Sequence, residues 1–550
     1  MKKFLALLLA VLMVASFAAC GQKGNDGGAG KDTTPSSDTT PSGGDKTPSD
    51  DTTPGGDAEP SGEVVNARDT LNCVYTSDKG TLYPLLLLGN DSLAAVMLCY
   101  DPLWDWNQAG ERVYKLCTEV EFEDEGKTWI IHLREGVKFS NGNPMNADDV
   151  VFTIDKAQNR EGEPAYFPKM EECVALDEYT VKLTFSEFDL IYDTSITTMQ
   201  ILDKESFDQT SIMTTPIGTG PYNLVDYVTN SHIKFEKKPD GEYWGECNGC
   251  KYINFTYITE ASQKTNALVT DTVDLCQVPF QDADYVADTG TYDIVDMPAS
   301  NAFAKTLYFN TEKSEALNTP EARTAIAMAI DREAINDICY GGKGQVSVAA
   351  ISAKHIDFPQ EMAGYGVYGT GYDPEGAKAL AEKCGLIGKT VSISTNGSAL
   401  DVTVAECIQT DLNAIGINVD IRNYDAGSWL AIAFDSSACG DMLVDFTGSQ
   451  AMTCGQSYAA WYRTHMGGAF TRSEFEGKER FASICDIINH LMTPEEYKAY
   501  YIELNKIQTD AMLWFSLVDT VAEWAVNKDL AGFQMMRMGH IDYQNMYWTK

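Results

Sequence analysis

Residues 128–154, "TWIIHLREGVKFSNGNPMNADDVVFTI", crowd acids, a histidine and two turns together, and could be read as a catalytic loop or as scaffold. Trp129, Ile131 and Leu133 alternate with Thr128, Ile130 and His132, the period-two pattern of a strand with one packed face. Asn141-Gly142 reverses the chain at low cost, because both residues tolerate positive φ. Asn146 is a good helix N-cap, Asp149 three residues later completes a capping box, and Asp148 suits the positive end of the helix dipole. Adjacent helical residues point about 100° apart, so Asp148 and Asp149 cannot converge on one substrate atom. Each polar residue has a structural task, and the stretch is predicted to be scaffold.

The 550 residues are 44% hydrophobic and 22% charged, enough to bury large cores in two or three lobes. Lys2-Lys3, an apolar run "FLALLLAVLMV" and "SFAAC" ending in Cys20 predict an export signal, since the apolar run is too short to span a bilayer. The pattern resembles a bacterial lipobox, with Phe17 where Leu is commoner, and this implies cleavage before Cys20 and diacylation of its sulfur. Residues 21–62 carry "DTTP" at 32, 38 and 51 and no aromatic or large aliphatic side chain. Such a segment cannot offset the entropy of ordering and is expected to be a solvated tether, its ends roughly 35 Å apart as a flexible coil. A formal charge of −39 disfavours nucleic acid and anionic headgroups as partners. Fourteen cysteines are scattered without a legible framework. Cys247-Asn-Gly-Cys250 lacks the second pair a zinc site needs, and a hairpin with free or locally paired thiols is expected there.

From about residue 64, strand-like runs such as "YTVKLTF" and "KYINFTYIT" alternate with helical stretches such as "EARTAIAMAIDREAINDICY", an α/β pattern with mixed sheets. Ala322, Ile326 and Ile330 fall at four-residue spacing and give one buried face. "IDRE" then ends that face and is expected to start a solvated one. Gly218 and Gly220 around Thr219 are read as permitting a tight bend between lobes. Residues 128–154 resemble the signature of extracellular solute-binding proteins, family 5, the peptide and nickel class. "TTPIGTGPYNL" (214–224), "LYFNTEKSEALNTPEARTAIAMAIDREAI" (307–335), "YDPEGAKALAEKCGL" (372–386), "VAECIQTDLNAIGINVDI" (404–421) and "YIELNKIQTDAMLWFSL" (501–517) are similar to the same family in the same order. The resemblance implies an α/β fold of the two-lobed, type II periplasmic-binding-protein-like kind, with mixed sheets, two hinge crossings and an extra inserted domain. Lengths fit a signal peptide at 1–19, a lipidated tether at 20–62, and a discontinuous lobe I at 63–100, 215–312 and 521–550. An inserted small domain at 101–214 and lobe II at 313–520 complete the expected division.

Three enzyme signals fail on spacing. "GLIGKT" (385–390) would put the first P-loop glycine on Lys383 and follows a helix instead of opening one, so Gly385 reads as a helix C-cap. "GQSYA" (455–459) has Ala459 where a nucleophile elbow needs glycine. The six histidines show no H-E-x-x-H spacing. No catalytic residue, metal or cofactor is expected. The resemblance implies a lipid-anchored receptor on the outer face of the cell membrane. It would hold di- or oligopeptides between its lobes and deliver them unchanged to an ABC permease with its ATPase. The alternatives are a receptor for an oligosaccharide or metal complex, or a surface hydrolase or adhesin on the same fold. For a sugar, Trp104, Trp106, Trp244, Trp429 and Trp461 are candidate platforms.

The segment "CGDMLVDFTGSQAMTCGQSYAAWYR" (439–463) bears on that choice. In peptide-binding relatives an aspartate in the equivalent strand-to-loop segment holds the ligand's α-ammonium, as a charge-assisted bond is strong where water is excluded. If Phe446-Thr447-Gly448 matches the family's aromatic-Thr-Gly, that acid falls on Ser449, and Asp445 is the nearby acid. Asp445, Phe446, Thr447, Ser449 and Trp461 are therefore the candidate ligand residues. Asp445 could equally be a loop residue bonding its own backbone.

Overall fold

The computed structural model describes residues 66–550 apart from 87–90, 160–165, 190, 297–302, 356, 434, 448–453, 456, 459–473, 489, 491–492, 521–522 and 537–538. Cys20, the tether, Ser449 and Trp461 lie outside the described residues. The first strands in chain order are β1 (Thr70–Tyr75), β2 (Trp104–Trp106), β3 (Arg112–Tyr114), β4 (Cys117–Glu123), β5 (Thr128–Leu133), β6 (Met170–Asp177) and β7 (Thr180–Phe185). They are followed by β8 (Tyr222–Val228), β9 (His232–Lys237), β10 (Tyr252–Tyr257), β11 (Leu275–Val278) and β12 (Tyr292–Asp296). The remaining long sheet is built from β13 (Ala304–Phe309), β14 (Gln345–Val346), β15 (Thr390–Thr395), β16 (Asn418–Asn423), β17 (Met442–Thr447) and β18 (Trp514–Asp519), after which β19 (Glu523–Asn527) returns to the first.

The first sheet has the order β12-β19-β11-β1-β10-β9-β8 and the second β14-β18-β13-β17-β15-β16. Both mix parallel and antiparallel pairs: β1 runs parallel to β10 and β11, and β15 parallel to β16 and β17, while β13 is antiparallel to β17 and β18. The chain passes from the first sheet to the second between Asp296 and Ala304 and back between Asp519 and Glu523. The two passages are tied together where the Thr520 amide and hydroxyl both donate to Phe303 O, at 2.7 and 2.9 Å. The strand Ala304–Phe309 belongs to the second sheet, although the sequence reading carried lobe I to 312. Its six residues are all buried, so nothing in their pattern reveals which sheet they join.

A separate sheet, β4-β5-β7-β6, contains the stretch read first. Trp129, Ile131 and Leu133 are buried, and Trp129 meets Phe185 at 5.2 Å between ring centroids. Asn146 and Asp149 form the expected capping box on the helix Ala147–Gln158, and Gly142 takes φ +92° at the turn. Ala322, Ile326 and Ile330 are buried as their spacing requires. The helical run around them is, however, two helices, Pro320–Ala329 and Arg332–Tyr340, with the Asp331 carboxylate capping the second. Arg332 is buried there rather than solvated, its guanidinium 4.9 Å from the Phe515 ring centroid and bonded to Ser347 O. An arginine stem and planar head pack on aromatic faces, which a charge count misses. Gly385 has φ +69° just past the helix Pro374–Lys383, the expected C-cap. Gly218 and Gly220 serve close packing more than a bend: a Cβ at Gly218 would lie 2.2 Å from Cys99 O, and one at Gly220 2.5 Å from Tyr100 N.

Candidate functional site

The sequence places Asp445 one residue from the start of Phe446-Thr447, and the structure places it on β17 beside the passages between the sheets. Asp445 pairs in register with Thr306 of β13, three residues after Phe303. Ends of strands in open α/β sheets, next to a change of strand order, are where such folds hold ligands.

Three features of this corner come from charge burial. Lys305 is fully buried and its ammonium bonds the carboxylate of Asp401, which is itself 1% exposed. Burial pulls the Lys305 ammonium below its ordinary value, and Asp401 opposes that. Asp401 lies in the first turn of the helix Ala399–Ala414, capped by Ser398, so the positive end of the helix dipole also favours its charge. On its other side the Lys305 ammonium sits 3.4 Å from the centroid of the Phe446 ring. Phe446 is half-buried and packs edge-on to Phe303 at 6.4 Å.

Asp445 is 9% exposed. Its Oδ1 accepts the N–H of Phe446 at 2.8 Å, the local backbone bond that the sequence allows. Burial pushes its carboxyl up to about 6, against the opposing pull of Lys305, the Phe446 amide and a bond from the Trp429 side chain. Among the described residues no cation lies within ion-pairing distance of it, because Lys305 is spent on Asp401. Thr447 is fully buried, its hydroxyl bonded to Thr306 Oγ1 and within 3.4 Å of Ser516 Oγ, so this side chain is held inside the sheet. Asp441, at the start of the same strand, is partly buried, yet bonds from the Ser392 amide and hydroxyl at 2.8 and 2.7 Å hold it below the usual carboxylate range. Asp441 is satisfied by its neighbours, and Asp445 much less so.

Sequence reading missed Lys305 and Asp401 altogether. "S-x-x-D" at 398–401 signals a capped helix start, but nothing signals its partner 96 residues away. Trp429, weighed as a sugar platform, is 8% exposed and its side chain bonds Asp445. Trp104 is fully buried, and the Trp244 indole donates to Asp101 at 2.9 Å under the guanidinium of Arg134. Trp104 has no open face for a sugar, and Trp244 is half-buried.

Comparison with known proteins agrees with this architecture. Residues 111–444 match the family described as bacterial extracellular solute-binding proteins, family 5 Middle. The dipeptide-binding protein of Escherichia coli (strain K12) is 30% identical over 416 residues, 68% of this chain and 74% of that protein. The nickel-binding periplasmic protein of the same organism is 25% identical over 399 residues, 66% of this chain and 72% of that protein. Among solved structures, the ABC transporter substrate-binding protein CtaP from Listeria monocytogenes aligns with a TM-score of 0.74 at 20% identity, over 88% of this chain and all of that one. The fold is that of type II periplasmic binding proteins. With two mixed sheets, two passages between them and a family match across 61% of its length, this chain belongs to the bacterial extracellular solute-binding proteins, family 5.

Proposed function

We propose that the protein is a peptide receptor of an ABC importer, holding the α-ammonium of a di- or oligopeptide at Asp445 and anchored outside the cell membrane by a diacylated Cys20. The observation that carries the peptide reading is Asp445 itself, a buried carboxylate beside the passages between sheets whose nearest ammonium is committed to another acid. A buried carboxylate in that condition gains most from a ligand that brings its own cation. Phe446, half-buried in the same corner, supplies apolar surface for the peptide's first side chain. The similarity to a dipeptide-binding protein supports the same class of solute.

Calorimetry on four combinations tests it: wild type and Asp445→Asn, each with a free and an N-acetylated peptide. Either change alone is expected to weaken binding by about 2 to 5 kcal/mol, as for one partner removed from a buried charge pair. Both together are expected to add little more, because the groups act on each other. Full additivity, or tight binding of the acetylated peptide, removes Asp445 from the site. For the anchor, Cys20→Ala is expected to move the mature protein from the membrane fraction to the medium, since two acyl chains are what stable anchoring requires.

A further inference from the structure

Away from Asp445, lobe II brings three different metal-ligating side chains together in its interior. His355, Asp357 and Cys454 each offer a ligand atom, and these atoms all lie within 4.8 Å of one another. His355 is 4% exposed and Cys454 fully buried. The site joins two segments far apart in the chain, and a third element braces it. The Tyr497 hydroxyl, on the helix Pro494–Ala511, donates to Asp357 Oδ2 at 2.7 Å and accepts the Gly455 amide at 2.6 Å. Asp357 also accepts the Cys454 amide, at 2.9 Å to Oδ2. The carboxylate is thus oriented by its neighbours, with the Cys454 amide also 3.2 Å from Oδ1, the outer support that metal-binding carboxylates usually have.

We propose that His355, Asp357 and Cys454 bind a divalent transition-metal ion of the zinc class. The charges balance: one thiolate and one carboxylate neutralise a dication, and the neutral imidazole completes the protein's share without leaving net charge in the interior. Binding replaces the Cys454 thiol proton, released to solvent, by a metal–sulfur bond, and forms a metal–nitrogen bond to His355 and a metal–oxygen bond to Asp357. Sulfur and nitrogen ligands of a tetrahedral zinc ion lie about 3.5 Å apart. Atoms spread over as much as 4.8 Å close by about 1.3 Å when the ion binds. Thiolate with imidazole selects zinc or cobalt over magnesium or calcium. The site shares no residue with the Asp445 corner, and the two readings stand or fall separately.

The test uses the full chain, stripped with a chelator and titrated with Co2+. One equivalent is expected to raise a thiolate-to-cobalt charge-transfer band, and Zn2+ is expected to abolish it by displacement. Cys454→Ser should lose the band, with far-ultraviolet dichroism confirming that it folds. His355→Gln, which keeps every thiol, gives an independent reading and should bind Co2+ at least tenfold more weakly. Tyr497→Phe should retain the band with affinity reduced about 10- to 100-fold. Absence of the band in the wild type, its survival in Cys454→Ser, or unchanged affinity in His355→Gln would each overturn the proposal.

Discussion

Asp149 and Asp445 are both buried aspartates whose carboxyls burial pushes up, and they differ in what surrounds them. Asp149 accepts the Asn146 amide and the Lys204 amide, each at 2.9 Å, and closes a helix cap that its own neighbours in sequence create. Asp445 accepts one adjacent amide and a bond from Trp429, and the positive charge nearest to it serves Asp401. A buried acid ringed by backbone donors is scaffold. One left short of donors, inside β17 and beside the passages between the sheets, is the acid we propose holds the ligand.

The strongest way to break the comparison is to disturb the charge that Asp445 does not own. Asp401→Asn leaves Lys305 buried and unpaired, and lobe II is expected to lose about 3 to 5 kcal/mol of stability, measured by urea unfolding. If Lys305 turned instead to Asp445, the loss would be smaller and peptide binding would fall with it.

Asp445→Asn should act oppositely on stability and on binding. The wild-type carboxyl titrates at about 6 in the fold against 3.8 in the unfolded chain, so ionising it costs the folded state. That penalty is absent below pH ~4, develops as pH rises through about 6, and amounts to about 3 kcal/mol at pH 8. The ligand-free variant should therefore be more stable than wild type at pH 8 and no more stable at pH 4, by thermal unfolding. An equal effect at both pH values would show that the gain is not electrostatic.

The same titration sharpens the ligand reading. A carboxylate that holds an ammonium must be ionised, so peptide affinity should fall about tenfold per pH unit below pH ~6, as followed by calorimetry. The fall levels off only below the lower pKa that the bound ammonium gives the carboxyl in the complex. Asp445→Asn should abolish the slope.

The smallest effect belongs to the scaffold acid's partner. Asn146→Ala removes one side of the capping box and should cost about 1 kcal/mol, with no change in peptide affinity. A loss of affinity would mean that the inserted domain takes part in binding.

Between these residues lies the boundary of what a sequence reveals. The strand around Trp129, the capped helix after Asn146 and the C-cap at Gly385 were legible because their causes are local: alternation, a capping pair, a residue free to take positive φ. The order of segments likewise carried the family and with it the two-lobed fold. The family resemblance also put Asp445 forward as a candidate, without what would surround it. The membership of Ala304–Phe309 in the second sheet, the Lys305–Asp401 pair and the His355, Asp357 and Cys454 cluster were decided only in three dimensions. Each joins residues tens to hundreds of positions apart, and no local period records such a meeting. Burial then changes what a residue does: an aspartate that forms turns in water becomes, deprived of water and of a committed cation, an acid whose charge is costly to hold.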